Sequence, residues 1–205
     1  QGKNLDDHTW KTKDVLPNPT SREPTFNLPV GWTWVAWREV GTCQNGRAFP
    51  STNYSESGMR LLRPGNLFAD GSVVWTNNNT RFLPKSWGEK YPEFVVGGSE
   101  IVMNLTAQSL KDAFLGRACL TSPGERCLLN QRIARLTSYA TVPRYSLWLL
   151  KSAAFRDYVD SGLNQGALIQ HMFTAQVDEF EFPLPPLAEQ HRIVAKVDEL
   201  MALCD

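Results

Sequence analysis

The signatures of self-contained catalysis are missing from this sequence. It has no GxSxG nucleophile turn, no GxxxxGK phosphate loop, no GxGxxG dinucleotide turn and no HExxH helix. It has neither the NPPY or DPPF loop of an S-adenosylmethionine-dependent amino-methyltransferase nor a PD…(D/E)xK nuclease pattern. His8, His171 and His191 lie far apart and none neighbours a cysteine, so no zinc-ligand spacing arises. His171, beside Met172 and Phe173, and His191, on the polar side of the last helix, read as structural. The four cysteines, Cys43, Cys119, Cys127 and Cys204, form no CxxC pair and read as reduced thiols of a cytoplasmic protein. No run approaches the roughly 18 apolar residues of a membrane span. The first residues show no charged-then-apolar signal pattern, and no internal repeat is visible. An enzyme is therefore disfavoured, and no cofactor or metal is expected of the chain itself.

The 205 residues are 42% apolar and 20% charged, enough for one substantial core or two small ones. Formal net charge is zero, which argues against a generic nucleic-acid coat, but the charge is not evenly spread. Between Ala107 and Arg156 the bases are Lys111, Arg117, Arg126, Arg132, Arg135, Arg144, Lys151 and Arg156, against Asp112 and Glu125. From Val177 the balance reverses, with Asp178, Glu179, Glu181, Glu189, Asp198, Glu199 and Asp205 against Arg192 and Lys196. A basic middle facing a polyanion and an acidic end facing something else is one reading; scattered surface charge is the other.

Residues 1–27 are polar and proline-broken, the pattern of a linker or extended segment. LPVGWTWVAWREVG (28–41) opens the domain with a strand over Trp32–Ala36 that Gly41 ends. QNGRAFPSTNYSESG (44–58) reads as a long polar loop, and Met59–Val74 as two strands around Pro64-Gly65. FVVGGSEIVMNL (94–105) is strand-like with a tight turn at Gly97-Gly98. RACL and CLLNQRIARL (127–136) add short strands around the SPGE turn at 122–125. PRYSLWLLKSAAFRDYVDS (143–161) has helical spacing and a stop at Gly162, and a short helix is expected at 166–173. Phe180, Phe182 and Leu184 alternate as a last strand. The expected fold is α+β (mixed), with many short strands and a few helices.

The last strand ends at Pro183, Pro185 and Pro186. Beyond them Ile193, Val197, Leu200 and Cys204 follow steps of four, three and four, the spacing of a coiled-coil seam. The prolines read as a hinge, and the helix as the start of a longer one that leaves the domain.

Three loops carry side chains suited to nucleic acid. QNGRAFPSTNY offers Asn45, Arg47, Ser51 and Tyr54; TNNNTR (76–81) offers Asn77, Asn78 and Arg81; NLTAQSLKD (104–112) offers Thr106, Gln108, Ser109 and Lys111. Asn and Gln amides can bond adenine, Arg and Lys can bond guanine, and Ser, Thr and Lys suit phosphates. The same residue types also simply make turns.

PLPPLAEQHRIVAKVDEL (183–200) resembles the junction that closes a target-recognition domain in the specificity subunits of type I restriction–modification systems. There a strand runs into P-L-P-P-L-x-E-Q-x-x-I-V and a long helix; Pro185, Pro186, Leu187, Glu189, Gln190, Ile193 and Val194 match. Other segments follow the family's order. They are LPVGWTWVAWREVG, LLRPGNLFADG (61–71), EIVMNLTAQSLKDAFLGRACL (100–120), LLNQRIARL (128–136) and Tyr145–Gly166. Where the family has Gly-Asp before Ile, this chain has Gly98-Ser99-Glu100.

The resemblance implies one DNA target-recognition domain over 28–186 and the start of a spacer helix over 187–205. Such a domain binds double-stranded DNA, reads one half of a bipartite target and carries no catalysis. The helix, through Ile193, Val197, Leu200 and Cys204, is expected to meet methyltransferase subunits, with the restriction subunit reached through the assembled complex. A second recognition domain or a homodimer is a further implied partner; a membrane is not. The competing reading is a protein–protein or dimerisation module without DNA specificity.

Overall fold

The computed structural model describes residues 27–108, 113–163 and 167–203. In chain order the strands are β1 (Thr33–Ala36), β2 (Gly41–Asn45), β3 (Met59–Leu62), β4 (Phe82–Leu83), β5 (Val95–Val96) and β6 (Ile101–Asn104). They continue with β7 (Thr106–Ala107), β8 (Ala118–Leu120), β9 (Cys127–Leu129), β10 (Ile133–Ser138), β11 (Gln170–His171) and β12 (Glu181–Leu184). The helices are α1 (Trp37–Val40), α2 (Trp87–Lys90), α3 (Pro143–Leu150), α4 (Ala153–Ser161), α5 (Thr174–Asp178) and α6 (Leu187–Met201). No helix among the described residues is long and apolar enough to cross a membrane.

Two four-stranded sheets carry the α+β fold. One is antiparallel in the order β2-β10-β6-β8; the other, β4-β3-β9-β5, holds a parallel pair, β3 with β9. β6 shows why they stack. Its sequence IVMN is buried at every position, and side chains alternate between faces along a strand. Ile101 and Met103 enter the core under the helices, with Leu147, Leu150, Phe155 and Val159. Val102 enters the layer between the sheets, with Leu62, Val96, Cys127 and Leu129 of the second sheet. The second sheet's outer face carries Leu61, Leu83 and Leu128, covered by Phe49 and by Trp87 and Tyr91. β1 pairs with β12, so the chain's way into the domain is zipped to its way out, and Trp37 packs on Phe182 at 6.1 Å between ring centroids.

Several expectations change. Trp37–Val40 forms a helical turn held by Glu39, whose carboxylate accepts the Ala36 N–H at 2.6 Å, so Gly41 opens β2 rather than ending β1. The expected second strand of Met59–Val74 is only isolated bridges, Leu67 with Val73 and Ser72 with Leu120. The long helix is two, because the Ser152 hydroxyl caps α4 by accepting the Phe155 N–H. No helix forms over the described part of 166–173; Gln170–His171 pairs with Thr106–Ala107 as a strand, and the helix begins at Thr174.

The proline hinge is the largest correction. Pro186 caps α6 as expected, but α6 lies against α3 instead of leaving the domain. Gln190 is buried at its base. Its amide oxygen accepts the Val142 N–H at 2.9 Å, and its amide nitrogen donates to the Ala140 and Pro185 carbonyls. Two turns on, Asp198 accepts from Arg144 and from the Trp148 indole at 2.9 Å. Ile193 and Val197 are half-buried while Leu200 is exposed, and Cys204 lies outside the described residues.

Two acids brace the sheets. Glu100, at the departure from the family pattern, accepts the Gly97 N–H at 2.7 Å and stands 3.9 Å from Arg135, so it holds the turn between β5 and β6. Glu125 is buried and takes Arg60 at 2.6 Å and the Trp75 indole at 2.9 Å.

Removing one partner of a buried charge strands the other. Arg60→Met is therefore expected to destabilise the domain by about 2–3 kcal/mol. Denaturant melts should show the double variant Arg60→Met/Glu125→Leu losing less. Gln190→Ala leaves three backbone groups unpaired. Hydrogen exchange should then accelerate at Val142 and along α6 while β6 stays protected.

Candidate nucleic-acid interface

The ends of both sheets meet on one side of the molecule. β2 ends at Asn45 opposite Ala134, β10 starts at Ile133 opposite Asn104, and β8 starts at Ala118 opposite Met103. In the second sheet the parallel β3 and β9 both finish there, at Leu62 and Leu129. Asn130–Arg132 then carries the chain from one sheet to the other. Main-chain bonds fasten the neighbouring loops to this crossing. Arg47 N–H donates to Leu129 at 2.9 Å, Gln131 N–H to Arg47 at 2.9 Å and Gly46 N–H to Ile133 at 3.0 Å. Leu105 N–H donates to Arg132 and Met172 N–H to Leu105, both at 2.9 Å. Gly46 permits the approach: a Cβ there would stand 2.2 Å from the Asn130 carbonyl oxygen.

Of the proposed side chains, those of Asn45, Arg47, Asn77, Asn78, Arg81 and Thr106 belong to segments at these sheet ends. Arg47 is exposed, with its guanidinium carbon 4.6 Å from the centre of the Tyr91 ring, a cation–π contact on the Phe49–Trp87–Tyr91 cluster. Asn45 and Thr106 line one open groove together with Gln131 and His171. Ser51 is exposed at a helical turn. Tyr54 is half-buried against the cluster of Phe49, Leu61, Leu83 and Leu128, so its ring serves the core. Gln108 is exposed; Ser109 and Lys111 lie outside the described residues.

The three asparagines divide their labour. Asn79 holds the loop. Its side-chain oxygen accepts the Thr76 N–H at 2.7 Å, and its amide nitrogen donates to Gly65 at 3.1 Å and Val74 at 3.0 Å. Asn77 and Asn78 are exposed at the tip. Arg81 is half-buried and donates to the Thr80 carbonyl at 2.6 Å and the Asn78 carbonyl at 3.2 Å, so part of its guanidinium braces the turn.

Sequence reasoning missed Gln131, Arg132, His171 and Phe173, which the structure brings to the same side. The signal for the first two was present: N-Q-R interrupts an otherwise apolar run at 130–132. His171 was hidden by the expected helix. On the extended backbone Gln170 and Met172 are buried while His171 and Phe173 are exposed, and His171 Nδ1 lies 3.3 Å from the Thr106 hydroxyl.

The basic middle is largely spoken for. Arg135 donates to Val95, Glu93 and Gln44, Lys151 to Ala69, Arg156 to Leu115, Arg117 to Leu67, and Arg144 to Asp198. Arg132, at the crossing, is exposed. Burial holds the nearby thiols protonated and inert: it pushes Cys119 up to about 12 and Cys127 higher, and Cys43 is raised by burial and then by the Asp178 charge. Among the described residues no three His, Cys, Asp or Glu side chains gather closely enough to hold a metal ion.

Comparison with known proteins matches residues 29–205 to the type I restriction modification DNA specificity domain. The chain is 31% identical over 198 residues to the type I restriction enzyme EcoAI specificity subunit of Escherichia coli, covering 95% of this chain and 32% of that protein. It is 26% identical over 192 residues to the MjaVIII specificity subunit of Methanocaldococcus jannaschii, covering 92% and 44%. The chain thus spans a third to under half of these relatives. Among solved structures, the HsdS subunit from Thermoanaerobacter tengcongensis superposes with a TM-score of 0.64 at 21% identity, over 89% of this chain and 40% of that one. A chain from a study of complex assembly in a type I R-M system gives 0.67 at 19% identity, over 88% and 41%. The fold, the ordered segments and the match over 29–205 together make this chain a member of the type I restriction–modification DNA specificity family.

Proposed function

We propose that this chain recognises one half of a bipartite duplex DNA target and thereby directs the methyltransferase and restriction subunits of a type I restriction–modification complex. The observation that carries the reading is the meeting of both sheet ends at Asn130–Arg132. It sets Asn45, Arg47, Thr106, Gln131 and Arg132 along one side of a braced scaffold. Amides there suit base edges, and the arginines suit guanine or phosphate. Asn77, Asn78, Arg81, Ser51 and Gln108 extend this surface, with Ser109 and Lys111 beside Gln108 in sequence. The chain supplies recognition and leaves cofactor and chemistry to its cytoplasmic partners.

On this reading 28–186 is the reader, 187–205 begins the spacer, and 1–27 leads in. Leu200, Met201 and Leu203 are 50%, 44% and 79% exposed at the far end of α6. That apolar end favours a helical partner on the face of Ile193, Val197 and Leu200, from a methyltransferase subunit, a second recognition domain or a second copy. Docking on α3 means this partner meets a helix already aimed by Gln190 and Asp198.

Selection from a randomised duplex pool, using the chain assembled with its methyltransferase partner, is expected to enrich a short fixed motif. Salt-sensitive binding without enrichment would move specificity elsewhere. Arg47→Ala is expected to relax one motif position at about 1–3 kcal/mol. Lys111→Ala should instead weaken all sequences alike and reduce the salt slope by about one. If Arg47, Arg81 and Lys111 together can become alanine with binding intact, the loop assignment is wrong.

A further inference from the structure

The groove beside the Asn130–Arg132 crossing holds two exposed side chains whose placement the core does not require. Phe173 is 67% exposed, although its neighbour Met172 is 5% exposed. A ring this open is not contributing its apolar area to the fold. Its backbone is nonetheless fixed on both sides: Met172 N–H donates to Leu105 at 2.9 Å, and Phe173 N–H donates to the Gln176 side-chain oxygen at 2.8 Å. Gln131 is also exposed, and its N–H is anchored to the Arg47 carbonyl at 2.9 Å. Both side chains line the groove, where His171 and Thr106 lie together. Among the described residues the lining includes no carboxylate, and Arg47 and Arg132 directly follow the lining residues Gly46 and Gln131 in the chain. An amide and an apolar ring side by side on such a lining match the exposed edge of an A·T pair. Adenine presents a donor beside an acceptor there, and thymine presents a methyl group.

We propose that Gln131 and Phe173 read an A·T pair of the target, the amide bonding the adenine and the ring packing on the thymine methyl. The inference rests on the DNA-reading function above and adds to it the base pair and the residues. The Gln131 side-chain oxygen accepts from the adenine amino group while its nitrogen donates to the adjacent ring nitrogen. His171 and Thr106, joined side chain to side chain across the β11–β7 pair, line the same groove.

The test uses the chain assembled with its methyltransferase partner and the same duplex selection. The wild type is expected to enrich a motif with a fixed A·T pair. Gln131→Ala is expected to relax that pair with a loss of roughly 5- to 150-fold. Uracil in place of that thymine removes only the methyl group, so no protein variant has to fold. It should weaken the wild type several-fold and leave Phe173→Ala binding unchanged, the pattern of a direct pairwise contact. A motif with no A·T pair, or one that Gln131→Ala leaves intact, overturns the assignment while DNA reading stands. Equal uracil sensitivity in wild type and Phe173→Ala, or none in either, overturns the Phe173 part likewise. No enriched motif at all overturns the DNA reading itself, and this inference with it.

Discussion

The contact between Gly46 and Asn130 is the constraint on which this architecture turns. The chain leaves one sheet at Leu129 and enters the other at Ile133, with three residues for the crossing. A crossing that short leaves backbone groups that need partners. Neighbouring strands supply them: the Arg47 carbonyl accepts the Gln131 N–H, Leu62 accepts the Asn130 N–H, and Leu105 donates to Arg132, while the Gly46 and Arg47 N–H groups tie the two ends at Ile133 and Leu129. Only a residue without a Cβ can lie this close to the Asn130 carbonyl. The bonds that close the crossing therefore also fix where Arg47, Gln131 and Arg132 stand.

Arginine plays two roles in this fold, and geometry separates them. Arg135 spreads its guanidinium donors over Val95, Glu93 and Gln44, and Arg144 forks onto both oxygens of Asp198, which suits a planar group with five N–H donors. Arg135 joins β10 to the β5 turn; Arg144 joins α3 to α6. Arg47 instead rests on a ring, a contact that holds its position while leaving donors outward. A count of basic residues along the sequence mixes the two kinds. The excess of positive charge in the middle of the chain is mostly internal bracing, and the DNA-facing side proposed above draws on a few arginines at the sheet ends.

Much of this was legible in the sequence. The buried strands of 94–105 and 127–136, the Gly97-Gly98 turn, the Gly162 stop and the Pro186 start follow from local pattern, because apolar alternation and proline geometry act over few residues. The α+β class was legible for the same reason, whereas 104–112, expected as a loop, holds the end of β6 and the strand β7. What stayed hidden depended on distant partners. Ser152 ends one helix and caps the next only where α4 packs on the core. QHMF takes an extended form because Thr106–Ala107 offers it a strand edge. The docking of α6 depends on Gln190 meeting Val142 and Asp198 meeting Trp148, contacts roughly fifty residues apart in sequence. The resemblance singled out Gln190 by its match to the family pattern; burial and three backbone partners give the physical reason.

A surface proposed to read DNA has to vary without unfolding its domain, and this chain separates exposed side chains from structural ones at the level of single residues. Asn77 and Asn78 point outward while Asn79 closes the same turn with its amide. Phe173 points outward while Met172 is buried and bonded through its backbone to Leu105. Replacing an outward side chain here removes no internal hydrogen bond, and such surface changes shift stability by about 0.5 kcal/mol or less. Replacing Asn79 instead strands partners inside the loop, at about 1–3 kcal/mol. Arg47 combines both tasks in one residue: its backbone belongs to the crossing and its side chain to the surface. A main-chain bond does not depend on the side chain beyond it, so the side chain at position 47 can change while the ladder stays closed. Position 46 has no such freedom, because there the backbone contact itself leaves no room for a side chain.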